Sequence, residues 1–142
     1  MAGDAEIEIA KKLFLAWSSG NADAPAEYMT EDAVLYDIVA GEPKKGWPAI
    51  REFFANGLVH WPDLDLTPEK FWVNDTGVAL TWLMTATVTD DRFGPEVKGK
   101  KWASEGMSYL EFRDGKVCYE VDYHNGANVM RSLGLAPQNR QA

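Results

Sequence analysis

The stretch YEVDYHNG, residues 119 to 126, sets Glu120, Asp122 and His124 on one parity and Tyr119, Val121 and Tyr123 on the other. In a β-strand the two parities point to opposite faces of the sheet. Two carboxyls and an imidazole on one face are the groups that general acid-base chemistry uses to take, hold and return a proton near neutrality. Parity alone leaves open which face looks inward. With the aromatic face inside, the charged face is ordinary solvated surface; with the charged face inside, three titratable groups are buried together, and that calls for a function. A third acid, Asp37, sits in AVLYDIV (33 to 39), ahead of the turn-rich loop AGEPKKG. An Asp there is either a turn-former or a site residue. The two histidines, His60 and His124, with scattered carboxylates have no metal-ligand spacing, and AGEPKKG lacks the pattern of a nucleotide-binding loop. Neither a metal nor a cofactor is expected.

The elements that must position these groups read as helices early and strands late. From Glu6 to about Ser19, Ala10, Leu13, Phe14 and Trp17 recur at helical spacing, and Gly20 and Asn21 end the run. APAEYM follows Asp23 as a short helix, with an acid and a proline at its start. WPAIREFFANGL places Ile50, Phe53, Phe54 and Leu58 on one helical face. The stretches KFWVND, GVALTWLMTATVTD, KKWASEGMSYLEFR and KVCYEVDYHN are rich in β-prone residues, so four strands of a largely antiparallel, curved sheet are expected. Asp114-Gly115 predicts a tight hairpin between the last two. NVMRSLG reads as a closing helix capped at Gly134. One α+β domain over residues 1 to 142 is expected, with 1 to 5 and 135 to 142 as frayed tails.

Bulk composition narrows the partners. The 142 residues include 14 Lys plus Arg against 22 Asp plus Glu, a formal net charge of -8 that repels nucleic acid and anionic membranes. The single cysteine, Cys118, permits no internal disulfide and suits a reducing cytoplasm. MAGDAEIEIAKK lacks the basic start and apolar core of a signal peptide, and no run is long enough to span a membrane. A soluble, cytoplasmic protein is expected. Six Trp, five Tyr and six Phe supply large apolar area for a core, an interface or a pocket alike.

Three stretches carry a family resemblance: EYMTEDAVLYDIVAGEPKKGWPAIREFFANGL (27 to 58), YLEFRDGKV, and VDYHNGANVMRSLG. Together they resemble the nuclear transport factor 2-like superfamily, and within it the SnoaL-like polyketide cyclases and ketosteroid isomerases. The resemblance implies a cone-shaped antiparallel sheet wrapped around N-terminal helices, with a pocket for a small hydrophobic molecule. It implies that Asp122 points into the pocket as general acid/base, which by parity brings Glu120 and His124 to the same inner face. Tyr119, Val121 and Tyr123 then face outward, where such proteins form homodimers. Asp37 matches the catalytic Asp of the isomerases' first strand, whereas the isomerases' oxyanion pair falls near Leu13 and Ser108 and is not matched. The epoxide hydrolases' Asp-Arg-Asp relay is not evident either, with Arg113 at a hairpin end.

The implied catalytic set is therefore Asp122, His124 and Asp37. The implied pocket draws on Trp17, Tyr36, Phe54, Trp61, Trp82 and Trp102, with Ser108 and Glu120 as polar members. Trp17, Phe53 and Phe54 equally fit a plain core, Trp72 is a further candidate wall, and Glu105 fits a rim or surface charge. The expected activity is cofactor-independent cyclisation, isomerisation or dehydration of a ring-bearing carbonyl compound. A non-catalytic binding protein with the same pocket is the alternative, and an epoxide hydrolase a weaker one.

Overall fold

A computed structural model describes residues 2 to 135, with a mixed sheet on one side and helices in its concavity. Helix α1 (Ala2–Trp17) buries the stripe Ala10, Leu13, Phe14 and Trp17 almost completely. It begins at Ala2, so residues 2 to 5 form its first turn rather than a frayed tail; the tail expected at 135 to 142 lies, from 136 on, outside the described residues. The short piece Ala24–Tyr28 is a 3-10 turn rather than a full helix. Helix α2 (Trp47–His60) carries Pro48 in its first turn, where no backbone donor is lost, and buries Ile50 and Phe54. Helix α3 (Ala127–Ser132) closes the chain, with Gly134 at φ 77° just beyond it.

The six strands are β1 (Met29–Asp37), β2 (Lys44–Lys45), β3 (Asp65–Val73), β4 (Gly77–Thr87), β5 (Lys101–Arg113) and β6 (Lys116–His124), in the spatial order β2-β1-β6-β5-β4-β3. All pairings are antiparallel except β1 with β6, which run parallel. Register shifts interrupt β1 between Met29 and Val34, β3 between Pro68 and Phe71, and β5 at Glu111/Phe112. Such irregularities bend and twist a sheet, and the result here is a curved, unclosed surface. Asp114 and Gly115 both have positive φ, the signature of the two-residue turn that suits hairpin twist.

Register settles the face question. Ser108 pairs with Asp122, Leu110 with Glu120 and Gly106 with His124 across β5 and β6, while Asp37 pairs with Asp122 across β1 and β6. Glu120 is 2% exposed and Tyr123 is 53% exposed, so the charged parity of β6 faces the interior.

Candidate active site

A cavity of about 370 Å³ lies between the helices and the concave face of the sheet. Its walls are overwhelmingly apolar, including Phe14, Leu35, Leu64, Leu66 and Met84. At one end stand the polar side chains Asp37, Ser108, Glu120, Asp122 and His124. Strands β1, β5 and β6 bring them together: inward positions of a pleated sheet alternate, so Asp122, its cross-strand neighbours Asp37 and Ser108, and its same-face neighbours Glu120 and His124 form one patch.

Hydrogen bonds fix most of this patch. The indole N–H of Trp82 donates to Ser108 Oγ at 2.8 Å, and Ser108 Oγ donates to Asp122 Oδ1 at 2.5 Å. The hydroxyl is thereby oriented from both sides, and one Asp122 oxygen is committed as an acceptor. His124 Nε2 meets Asp37 Oδ1 at 2.8 Å, and the same oxygen accepts the backbone N–H groups of Val39 and Ala40. The second ring nitrogen of His124, Nδ1, is buried and has no partner among the described residues. Trp17 donates its indole N–H to Glu120 Oε1 at 3.3 Å, tying α1 to the site.

Electrostatics separates the four titratable groups. Burial drives the Glu120 carboxyl well above its usual 4.5, and the adjacent Asp122 carboxylate adds to the shift. Burial also raises Asp122 above 3.8, against the opposing influence of its hydrogen bonds. Asp37 goes the other way: although burial pushes it up, the His124 imidazolium and two backbone N–H groups hold it below 3.8. Burial depresses His124, yet its bond to Asp37 and the surrounding carboxylates carry it above 6.5. The site therefore combines an Asp37–His124 ion pair with two buried acids whose ionisation is opposed, Glu120 more strongly than Asp122.

Among the expected wall residues, Trp17, Phe54, Trp61, Trp82 and Trp102 line the cavity. Tyr36 does not: it lies between Leu35 and Asp37 on β1, and adjacent strand residues cannot share a face. Trp72 is half exposed on the edge strand β3, and Glu105 is exposed. Arg113 pairs with Asp32 at the surface, and no arginine lines the cavity among the described residues. Sequence reasoning gave no site role to Met84 or His60. Met84 shares the inward parity of Trp82 on β4, and His60 follows Phe53 and Gly57 on one face of α2, so both carried a periodic signal.

Comparison with known proteins agrees with this architecture. The model of the SnoaL-like domain matches residues 10–120, over three quarters of the chain. The chain belongs to the SnoaL-like family. It is thereby a member of the nuclear transport factor 2-like superfamily, and Asp122 and His124 lie just past the matched segment. Among solved structures, this SnoaL-like chain is similar to a protein of Xanthomonas campestris pv. campestris assigned as a polyketide cyclase. That match has a TM-score of 0.81 at 19% identity, over 94% of this chain and 99% of the other. It is also similar to a protein of Catenulispora acidiphila with a ketosteroid isomerase-like fold, crystallised with trimethylamine. There the TM-score is 0.78 at 18% identity, over 90% and 93% of the two chains. A third, AclR of Streptomyces galilaeus, matches with a TM-score of 0.76 at 22% identity, over 95% and 99%. At these identities the structural likeness speaks for the fold.

Proposed function

We propose that this protein is a cofactor-independent enzyme that moves a proton beside a carbonyl group of a hydrophobic, ring-bearing substrate, as cyclisation, isomerisation and dehydration each require. The observation that carries the reading is the placing of three carboxyls and an imidazole at one end of an otherwise apolar cavity. Asp122 is the base. Ser108 holds Oδ1, which leaves Oδ2 to take the proton from carbon. His124 is clamped by Asp37 through Nε2, and its charged ring offers Nδ1–H to the substrate oxygen as negative charge develops there. Asp37 then positions His124 and does not touch substrate. Burial holds the Glu120 carboxyl well above its usual 4.5, which opposes a second negative charge beside Asp122.

A plain binding pocket has no use for such a set, because buried acids weaken a fold unless something recovers their cost. An epoxide hydrolase of the Asp-Arg-Asp type would need an arginine, and none lines the cavity among the described residues. The reading includes a homodimer formed through the outer face of β5 and β6, supported by exposed Tyr123 and Met107. It also includes a reducing, cytoplasmic setting, supported by the free, half-buried thiol of Cys118.

The test needs no knowledge of the natural substrate. A panel of cyclic ketones is incubated in D2O, and deuterium uptake at carbon beside the carbonyl is followed by NMR. Wild type is expected to accelerate uptake for at least one ring system, and Asp122→Asn to lose roughly two to four decades of that rate. The pH profile should be bell-shaped: the acid limb, set by Asp122, lies above 3.8, and the alkaline limb, set by His124, lies above 6.5. Uptake by Asp122→Asn equal to wild type, or none above buffer across the panel, would sink the acid-base reading.

A further inference from the structure

Away from the acidic patch, the largely apolar cavity wall carries a few polar atoms that the chemistry above does not use. Trp102 on β5 lines the cavity and is only 3% exposed, yet its indole N–H is buried without an acceptor among the described residues. Two positions along the same inward face, Ser104 is 2% exposed and its hydroxyl is likewise unpartnered. A buried donor left without a partner loses its hydration and gains nothing in return, so native structures rarely keep one. Ser104 does not line the cavity, whereas Trp102 does, and its unpartnered N–H points to an acceptor that arrives with a ligand.

His60 adds a second donor at the Trp102 end of the cavity. It lines the cavity from the last turn of α2, and the Arg92 guanidinium meets its Nδ1 at 2.5 Å. An arginine only donates, so Nδ1 must be the acceptor and the ring's proton sits on Nε2. Arg92 also stacks over Trp61, which meets Trp102 edge-on at 5.3 Å between ring centroids. The guanidinium charge is already taken, because Asp90 binds Arg92 through two hydrogen bonds. What this end offers is N–H donors, with no free cation among the described residues, inside a protein of net charge -8. That matches an uncharged oxygen and opposes a carboxylate, whose burial here would go uncompensated.

We infer that the Trp102 end of the cavity is a subsite for a neutral carbonyl oxygen of the ligand, held by the Trp102 indole N–H with His60 at its side. The inference rests on the proposed ring-bearing carbonyl substrate and sharpens it. Trp102 lies six residues along β5 from Ser108, at most roughly 20 Å of extended strand. The substrate is thus an elongated ring compound with one carbonyl at the acidic end and a second acceptor oxygen at the far end.

The test compares 2-acetylnaphthalene with its near-isostere 2-isopropenylnaphthalene by calorimetric titration, with 2-naphthoate as the charged member. Wild type should bind the ketone about tenfold more tightly than the alkene, the usual worth of one hydrogen bond that rescues a buried donor. Trp102→Phe, which keeps an aromatic ring and removes the N–H, should cut that ratio several-fold. His60→Leu, at an exposed position that does not threaten folding, should lower it several-fold. A ratio of one in wild type, a ratio unaltered by both Trp102→Phe and His60→Leu, or tightest binding of 2-naphthoate would overturn the subsite. Failure of both neutral compounds to bind would overturn it too. None of these binding ratios depends on turnover, so a subsite that fails while deuterium exchange persists leaves the acid-base reading standing, and the converse holds.

Discussion

Glu120 is the residue whose presence costs the fold most plainly. It is 2% exposed, flanked by Asp122, and contacted by one indole N–H, so its ionisation in the folded state is strongly opposed. A carboxyl whose folded pKa is raised holds its proton more tightly when folded than when unfolded. Its contribution to stability is therefore complete below the unfolded value near 4.5 and is lost as pH rises through the folded value. Glu120→Gln keeps an oxygen for the Trp17 N–H and removes that loss. The variant should melt several degrees above wild type at pH 8, and the advantage should vanish below pH 4. Thermal unfolding at the two pH values checks this, and an equal melting temperature at pH 8 would mean that Glu120 does not bear the burial assigned to it. Asp37 and His124 act with opposite sign to each other: the lowered acid stabilises above its folded pKa, and the raised imidazole stabilises below its own. Their joint contribution spans the interval from below 3.8 to above 6.5.

At the scale of elements, strand β5 carries the geometry, and Gly106 is its weak point. Gly106 pairs with Trp82 on one side and His124 on the other, and a Cβ built there would lie 2.2 Å from the Trp82 ring. Only a missing side chain lets the indole lie flat against β5 and reach Ser108 with its N–H. Gly106→Ala must displace Trp82, and overpacking of this kind costs about 1 to 3 kcal/mol. Urea unfolding should show that loss, and deuterium exchange should fall because Ser108 no longer orients Asp122; unchanged stability and exchange would mean that Trp82 is not pinned there. The helical stripe of α1 and the alternation of β6 were legible in the sequence because each depends on local periodicity. The parity of β1 carried the same signal, and placing both Tyr36 and Asp37 in the pocket went against it, since adjacent strand residues face opposite ways. The parallel pairing of β1 with β6 was not legible, because residues 87 positions apart meet only through register. Nor does periodicity reveal the donors at Trp102 and Ser104 that have no partner among the described residues, which are properties of the packed structure.

For the whole molecule, the sheet has two faces of different chemistry, and strict alternation along β6 couples them. Tyr123 lies between Asp122 and His124 in sequence and points the opposite way, 53% exposed, with Met107 beside it across the strand pair at 38%. Val121, also outward, is nearly covered by its register neighbours Tyr36 and Tyr109. The outer face of β1, β5 and β6 is thus an aromatic surface with one exposed apolar pair, while the inner face of the same strands holds the acids. A second copy laid on this face would bury Tyr123 and Met107 and stiffen the strand that aims Asp122 and His124. The expected result is a dimer by sedimentation equilibrium at micromolar concentration, with a melting temperature that rises with protein concentration. Tyr123→Lys should shift the equilibrium toward monomer, because each dimer would bury two extra charges without partners. Deuterium exchange per chain should then fall, although Tyr123 does not line the cavity. A wild-type monomer with concentration-independent melting would leave the aromatic face as bare surface, and the acid-base site would have to owe its rigidity to the hydrogen bonds of a single chain.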